Sequence, residues 1–470
     1  MASETAIERL IAVVGRENAI TVAAEMEPYL HEWRERWTGK AKAVLRPKTT
    51  EEVSRLLAIA HETETPIVAQ GGNTGAVGGQ IPFESGDEVV LSLTRLNRIR
   101  EVDAIDNSMI AEGGATLKAV QDAAEAADRL FPLSLGSEGS CTIGGNLATN
   151  AGGVSVVAYG NARALTLGLE VVLADGRIWN GLRRLRKDNT GYDLKDIFIG
   201  SEGTLGVITA AALMLFPRPR DKATAFASLK DPKAALDLFH LASAVGGRVT
   251  AVELLPRIGI EFVERHSALR SPLAEPAPWY VLIEVSGAEP PGRLTGQMEI
   301  MLAEAFERQI VQDAVLASSE AQRKTLWETR EILSLVQKAE GGSIKHDVSV
   351  PVSKIPIFLS EATAAVKRLI PGARPVPFGH IGDGNIHFNI SQPVGADREA
   401  FLERWDEVSA AVFEVVLRLN GSISAEHGIG RLKRDLMPSI KSPVELKMMK
   451  DLKRLFDPKG ILNPGKVLPP

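Results

Sequence analysis

The stretch PFGHIGDGNIHFNI, residues 377–390, sets His380 and His387 on either side of a turn-forming centre. Gly382-Asp383-Gly384-Asn385 carries turn chemistry, and Asp383-Gly384 suits a two-residue hairpin loop. With those two residues as the loop, Ile381 pairs with Ile386 and His380 with His387. Directly opposed residues share a face with Cβ atoms about 5 Å apart. Two imidazoles so placed can converge on one cation, and Asn389 shares their face. A lone histidine here would more often be a core residue with its hydrogen bonds met, but two stacked imidazoles gain little from packing alone. A second piece, SISAEHGIG (residues 422–430), offers the carboxylate of Glu426 and the imidazole of His427 on a glycine-bounded loop. His380, His387 and Glu426 together form a three-ligand set for a divalent ion, zinc or similar, with a position open to substrate. The competing reading makes Glu426 and His427 a surface pair, and their apolar and glycine surroundings argue against it.

A site of this kind needs elements to hold it. Three glycine clusters lie upstream: QGGNTGAVGG (70–79), LGSEGSCTIGGNLATNAGG (135–153) and GSEGTLGVIT (200–209). Glycine lets successive amides converge on an anion, and small hydroxyl or amide side chains add donors, which suits a diphosphate. One such loop reads as a turn, whereas three of them, rich in Ser, Thr and Asn, point to a nucleotide. Neither the P-loop pattern nor G-x-G-x-x-G is present.

From about Lys48 helix and strand alternate. PKTTEEVSRLLAIAHE reads as a helix with a capping box from Thr49 to Glu52 and an apolar stripe of Val53, Leu56, Leu57 and Ala60. PIVAQ and EVVLSL read as strands, and LTLGLEVVLADGRIWNG as a hairpin turning at Asp175-Gly176. Pro217 and Pro219 mark a boundary. Beyond Arg220 the glycine clusters disappear for about a hundred residues, and helices alternate with strands such as VTAVELL and WYVLIEVSG. That pattern fits a parallel sheet, or an antiparallel one with helices on one face.

The 470 residues exceed what one core usually supports. A net charge of −5 without a basic run excludes nucleic acid as the expected partner. The single Cys141 excludes an intramolecular disulfide and a Cys-rich metal site. No apolar run approaches the roughly 18 residues of a membrane span. MASETAIERL lacks a secretory pattern, so a cytoplasmic location is the expectation.

The order PIVAQGGNTG, PLSLGSEGSCTIGGNLATNAGG, AYGN, KDNTGYDLKDIFIGSEGTLGVIT closely resembles the FAD-binding domain of the p-cresol methylhydroxylase and vanillyl-alcohol oxidase superfamily. The resemblance runs from about residue 40 to the C-terminus. It implies FAD, with Gly71, Gly72, Asn73, Thr74 and Gly75 facing the phosphates. Ser137, Thr142, Gly145, Asn146 and Asn150 would follow the diphosphate and ribityl chain, and Glu202, Gly203, Gly206 and Ile208 would line the adenine and ribose side. Where some members attach flavin through a histidine of the first loop, this chain has Asn73, so the flavin is expected to be non-covalent. Cys141 is read as packing.

FGHIGDGNIHFN and SAEHGIGRLK resemble the C-terminal domain of FAD-linked 2-hydroxy-acid dehydrogenases, a group that includes D-2-hydroxyglutarate, D-lactate and glycolate enzymes. In the D-2-hydroxyglutarate branch the resemblance implies a zinc-like ion on His380, His387 and Glu426, with His427 as the general base. It also places Arg330, Ser334, Lys345 and Asn389 at substrate-binding positions and returns Asn463 to the flavin domain. The fold implied is α+β: a two-part FAD-binding domain (1–218), a substrate or cap domain with a helix-covered antiparallel sheet (219–425), and a C-terminal segment (426–470).

The expected reaction is oxidation of a D-2-hydroxy acid, D-2-hydroxyglutarate first, to the 2-oxo acid. Hydride passes from C2 to flavin N5, the metal activates the hydroxyl and His427 takes its proton. Two cations and a hydroxyl favour a dicarboxylate over D-lactate or glycolate, which need one anchor. A metal-dependent hydrolase would leave the glycine clusters idle, and a non-catalytic flavin carrier is a third reading. The electron acceptor (oxygen, a quinone, a cytochrome or an electron-transfer flavoprotein) is not named by any motif, and the sequence allows a homodimer.

Overall fold

A computed structural model describes residues 4–469, so residues 1–3 and 470 of the expected outer segments lie outside it. The chain divides into two units with interleaved segments. Among the described residues the first comprises 4–151, Asn161–Pro217 and 427–469. The second comprises Gly152–Gly160 and Arg218–Glu426. The short piece Gly152–Gly160, expected with the flavin domain, therefore belongs to the second unit. There Arg248 donates to Ala158 O (3.1 Å) and stacks over the Tyr159 ring.

In the first unit β1 (Ala19–Ile20), β2 (Val44–Leu45), β3 (Ile67–Gln70) and β4 (Val89–Ser92) form a sheet in the order β1-β2-β4-β3, with β2, β4 and β3 parallel. The helix Thr50–Thr63 covers it through Val53, Leu56, Leu57 and Ala60, which share a core with Leu45, Ile67, Val89 and Leu91. Thr49 caps that helix by accepting from Glu52 N (3.1 Å). The Glu52 carboxylate accepts from Lys48 N rather than from Thr49, so only half of the expected capping box forms.

A second sheet joins β5 (Ile99–Asp103), β6 (Ser108–Glu112), β8 (Thr166–Val172), β9 (Ile178–Gly181) and β10 (Val207–Met214) in the antiparallel order β5-β6-β10-β8-β9. The short strands β7 (Arg129–Leu130) and β11 (Phe216–Pro217) pair separately. The β8–β9 hairpin turns at Asp175-Gly176, as its sequence anticipates.

The second unit is built on β12 (Asp221–Leu229), β13 (Arg248–Pro256), β14 (Trp279–Gly287), β15 (Asp313–Leu316), β16 (Ser343–Ile344), β17 (Asp347–Ser349), β18 (Arg374–His380) and β19 (Asn385–Ser391). The order is β15-β12-β14-β13-β18-β19-β16, with β17 also on β19, and these strands pair antiparallel throughout. Strands β12, β13 and β14 are buried along most of their length, as strands covered by helices must be. The helices Pro232–Ala242 and Arg293–Glu307 pack on them, and Arg257–His266 inserts Ile260, Phe262 and Val263 among Phe226, Leu255, Leu282 and Phe378.

The histidine hairpin is real, but its register differs from the expected one. Phe378, not His380, stands opposite His387, and Pro377 opposes Phe388. A turn of four residues, 381–384, replaces the two-residue loop. The cause is a third strand. His380 pairs with Glu253 of β13, and Ile381 N donates to Val252 O (3.0 Å), so the chain leaves β19 early. A shift of two residues preserves the face, and both imidazoles stay on the same side.

Candidate active site

In the second unit His380 at the end of β18 and His387 on β19 bring their rings to 5.4 Å between centroids at 82°. Glu426 joins them: one donor atom from each of the three lies within 4.8 Å of the others, and His380 Nε2 is 4.0 Å from Glu426 Oε1. Tetrahedral donors about 2.1 Å from one ion stand about 3.4 Å from each other. Closing the group onto one ion therefore takes movements of up to about an ångström.

Glu426 is fixed from two sides. Its backbone N donates to Asp347 Oδ2 (2.9 Å), and its carboxylate accepts from Gly153 N. A Cβ at Gly152 would stand 2.7 Å from Glu426 Oε1, so the glycine pair Gly152-Gly153 makes room for that carboxylate. Burial pushes the Glu426 carboxyl up to about 7 against the pull of His380, with Asp347 and Asp383 adding to the rise. Asp347 also takes Asn385 Nδ2 (2.9 Å), and its Oδ1 lies 3.7 Å from His387 Nδ1.

The buried Glu253 accepts from His380 Nδ1 at 2.6 Å and from Arg330 Nε at 2.7 Å. Burial would raise its carboxyl, but His380 and Arg330 outweigh burial and hold it at about 2. Burial likewise opposes the His380 charge, yet Glu253 and then Glu426 raise that imidazole to about 9. Glu253, Asp347, Asp383 and Glu426 thus concentrate negative charge around two imidazoles, an arrangement that a divalent cation would relieve.

Of the residues expected to bind substrate, Arg330 is buried against Glu253 with its guanidinium 4.8 Å above the Phe378 ring. Ser334 is exposed on a separate one-turn helix, Leu333–Val336, because the preceding helix ends at Glu331. Arg330 and Ser334 therefore stand on two different helices. Lys345 is half-buried between β16 and β17. Asn389 is buried and donates to Gln337 Oε1 (2.9 Å).

In the first unit the glycine loops meet. A Cβ at Gly71 would lie 2.2 Å from Thr142 Oγ1, and one at Gly72 only 1.8 Å from Ser140 O. Only glycine permits that approach. The Asn73 side chain is engaged by its own surroundings, donating to Pro28 O (3.1 Å) and His31 O (2.9 Å) and accepting from Gln80 Nε2 (3.2 Å). The first loop can thus offer an anion the backbone of residues 71–75, and Asn73 serves as its brace. Gly75 is packed on Gln80, and the Thr74 carbonyl accepts from Trp33 Nε1 (3.1 Å).

Thr142 opens the helix Ile143–Ala148, which contains Gly145 and Asn146. Among the described residues its buried Oγ1 has no hydrogen-bond partner, nor does Asn146 Nδ2, which lies beside the Cys141 thiol. Two orphaned donors at a helix start facing a glycine loop fit the diphosphate of a dinucleotide. Cys141 is buried, as expected of packing, and burial raises its thiol. The Ser137 carbonyl accepts from Ser140 N and Cys141 N, both 2.8 Å, and Asn150 Oδ1 from Arg163 N (3.0 Å).

The third cluster does more than line a nucleotide. The buried carboxylate of Glu202 accepts from Ile429 N (2.7 Å) and Gly430 N (2.8 Å), bracing the loop that follows His427. Burial raises that carboxyl to about 7, against the two amides and Lys433. Asn463 donates to Glu202 O (2.6 Å) and accepts from Ala69 N (2.9 Å), and a Cβ at Gly203 would meet its amide. Gly206 packs on Val171 and Phe198, and Ile208 is buried on β10. His427 begins the last segment of the first unit, one peptide bond from Glu426.

Sequence reasoning missed Glu253, Asp347 and the Gly152-Gly153 contact with Glu426. A glutamate within the otherwise apolar run AVELLP was the available signal for Glu253, since a charge in a buried strand needs a partner. Asp347 had none beyond its closeness to Lys345.

Fold and site define a flavin-linked oxidoreductase, and the chain belongs to the FAD linked oxidases. Residues 218–467 match the family's C-terminal domain and residues 41–181 its FAD binding domain. Over 467 residues the chain is 40% identical to the mitochondrial D-2-hydroxyglutarate dehydrogenase of Bos taurus, covering 99% of this chain and 83% of that protein. It is 37% identical to a putative mitochondrial D-lactate dehydrogenase of Schizosaccharomyces pombe, covering 99% and 90% respectively. The fold matches p-cresol methylhydroxylase with substrate bound at a TM-score of 0.76 and 17% identity, over 99% of this chain and 96% of that one. The chain is an FAD-dependent oxidoreductase.

Proposed function

We propose that the protein oxidises a D-2-hydroxy acid with two carboxylates, D-2-hydroxyglutarate first, to the 2-oxo acid, using non-covalent FAD and a divalent ion such as zinc. The observation that carries this reading is the convergence of His380, His387 and Glu426 within 4.8 Å in a chain with two glycine loops fit for a dinucleotide. The names of the bovine relative and its like support the substrate. His380, His387 and Glu426 would hold the ion. The amides of residues 71–75, Thr142 and Asn146 would hold the FAD diphosphate.

When bound, FAD supplies the acceptor for the C2 hydride and the ion polarises the hydroxyl. The chain's own task is to orient and deprotonate. His427, on a loop whose following amides are fixed by Glu202, takes the hydroxyl proton. Arg330 and Lys345, with Ser334 and Asn389, receive the carboxylates.

The second reading is a monocarboxylate such as D-lactate, favoured by the name of the Schizosaccharomyces pombe relative. Anaerobic bleaching of the flavin by a panel of D- and L-2-hydroxy acids tests both. D-2-hydroxyglutarate should bleach fastest, and Lys345→Ala should raise its KM about tenfold or more. Preference for D-lactate, with Lys345→Ala silent, establishes the second reading. No bleaching by any member overturns both.

A further inference from the structure

We propose that Glu253 is a positioning residue whose two carboxylate oxygens set His380 and Arg330 at once, so that the grip on the substrate's hydroxyl end and the cation for its second, remote carboxylate are fixed by one side chain. This rests on the metal reading of His380 and the substrate reading of Arg330 given above.

Glu253 sits within β13 and is fully buried in a run of apolar neighbours. An isolated carboxylate there would cost several kcal/mol, so its presence calls for partners. Both oxygens have one: Oε1 takes His380 Nδ1 at 2.6 Å and Oε2 takes Arg330 Nε at 2.7 Å. The backbone enforces the first contact, because Glu253 and His380 are register partners between β13 and β18.

A carboxylate can only accept. His380 Nδ1 must therefore carry a hydrogen, and Nε2, the atom 4.0 Å from Glu426 Oε1, is the one available to an ion. A carboxylate behind a ligating imidazole fixes its tautomer and strengthens its basicity.

The second oxygen acts on Arg330 in a comparable way. It takes Nε, the inner edge of the guanidinium, while Phe378 supports the group's face at 4.8 Å. Among the described residues neither terminal nitrogen of Arg330 has a protein hydrogen bond, although the side chain is only 9% exposed. The outer edge of a pinned guanidinium is the fork that a carboxylate takes in bidentate fashion. A strand position thus aims two groups that lie far apart in sequence.

The experiment uses full-length, FAD-loaded, chelator-stripped protein and Zn2+ alone as the titrant in calorimetry. Glu253→Gln keeps the shape, but its amide nitrogen opposes a donor on one side. Zn2+ affinity should fall about 10- to 100-fold with the bound flavin spectrum unchanged. At saturating Zn2+ the KM for D-2-hydroxyglutarate should rise about tenfold, while that for D-lactate should move less than about twofold. Glu253→Asp keeps the charge at shorter reach and should fall between wild type and the glutamine variant; it also serves if Glu253→Gln does not fold. Zn2+ affinity within about twofold of wild type in both variants overturns the proposal and leaves the metal reading standing. An equal rise in both KM values overturns the Arg330 half. Wild-type protein that takes up no Zn2+ overturns the metal reading, and the proposal falls with it.

Discussion

The glycine loops of the first unit and the histidine group of the second prepare for ligands in opposite ways. In the first, backbone approaches backbone: Gly72 comes so close to Ser140 O that no side chain fits, and the polar atoms left over, Thr142 Oγ1 and Asn146 Nδ2, are neutral and lack partners among the described residues. In the second, charge meets charge: Glu253, Asp347 and Glu426 hold or face His380, His387 and Arg330, and the carboxyl of Glu253 lies far below its usual range while that of Glu426 lies above. A large, rigid anion is well served by fixed amides that need no reorganisation. A small cation and a reacting proton need groups whose charge can change. The two regions therefore fail differently when altered.

The sharpest break of that contrast is His387→Ala. It removes one of three donors and should lower turnover about 10³-fold or more. Flavin absorbance should stay at one FAD per chain, since the glycine loops belong to the other unit. Loss of flavin with turnover would erase the division of labour. His380→Ala should behave likewise, with an added cost in stability from leaving Glu253 without one of its two partners.

Gly72→Ala tests the first region in the reverse sense. Its Cβ would press on Ser140 O at 1.8 Å, a backbone atom that cannot swing aside. Overpacking of this kind costs about 1–3 kcal/mol. FAD should be lost on dialysis, with affinity down about 10²-fold, while Zn2+ binding by the stripped protein persists. Retained flavin would show that the two loops do not grip it at this point.

The unequal legibility of the two regions has the same physical root. Glycine clusters are visible in sequence because close backbone approach excludes every other residue, so composition alone marks the place. The helix over Val53–Ala60 and the Asp175-Gly176 hairpin were likewise local in origin, fixed by periodicity and turn chemistry. Turn chemistry misled at Asp383-Gly384, because a local preference was overridden by β13, which lies far off in sequence and pulls Ile381 to Val252. Glu253 escaped notice for that reason too: its meaning depends on a strand pairing that no short window contains. Asn73 and Glu202 sat in recognisable motifs, yet their side chains turned out to brace loops, which motif matching cannot distinguish from contact with a ligand.

Glu202 is also where the contrast is weakest, because it is a charged brace inside the region of backbone recognition, and its substitution should have the smallest effect. Burial raises its carboxyl from 4.5 to about 7 in the folded protein. The folded state therefore holds a proton that the unfolded state has already released between those values. Below about pH 4.5 both states are protonated and the group is neutral in its effect. As pH rises to about 7 the unfolded state gains from ionising first, so stability falls, and above that the loss stays constant. Glu202→Gln cannot ionise and should lack this slope, so that the difference between the two proteins' unfolding free energies changes by about 2–3 kcal/mol from pH 5 to pH 8. Chemical denaturation of the holoprotein at several pH values reads it. Gln keeps one acceptor for Ile429 N or Gly430 N and turns a donor towards the other, so the loop after His427 should loosen slightly and kcat fall by a few-fold. Parallel stability profiles for wild type and variant would mean that Glu202 is ionised throughout, its two amides outweighing burial, and the third glycine cluster would then belong with the charge-based region after all.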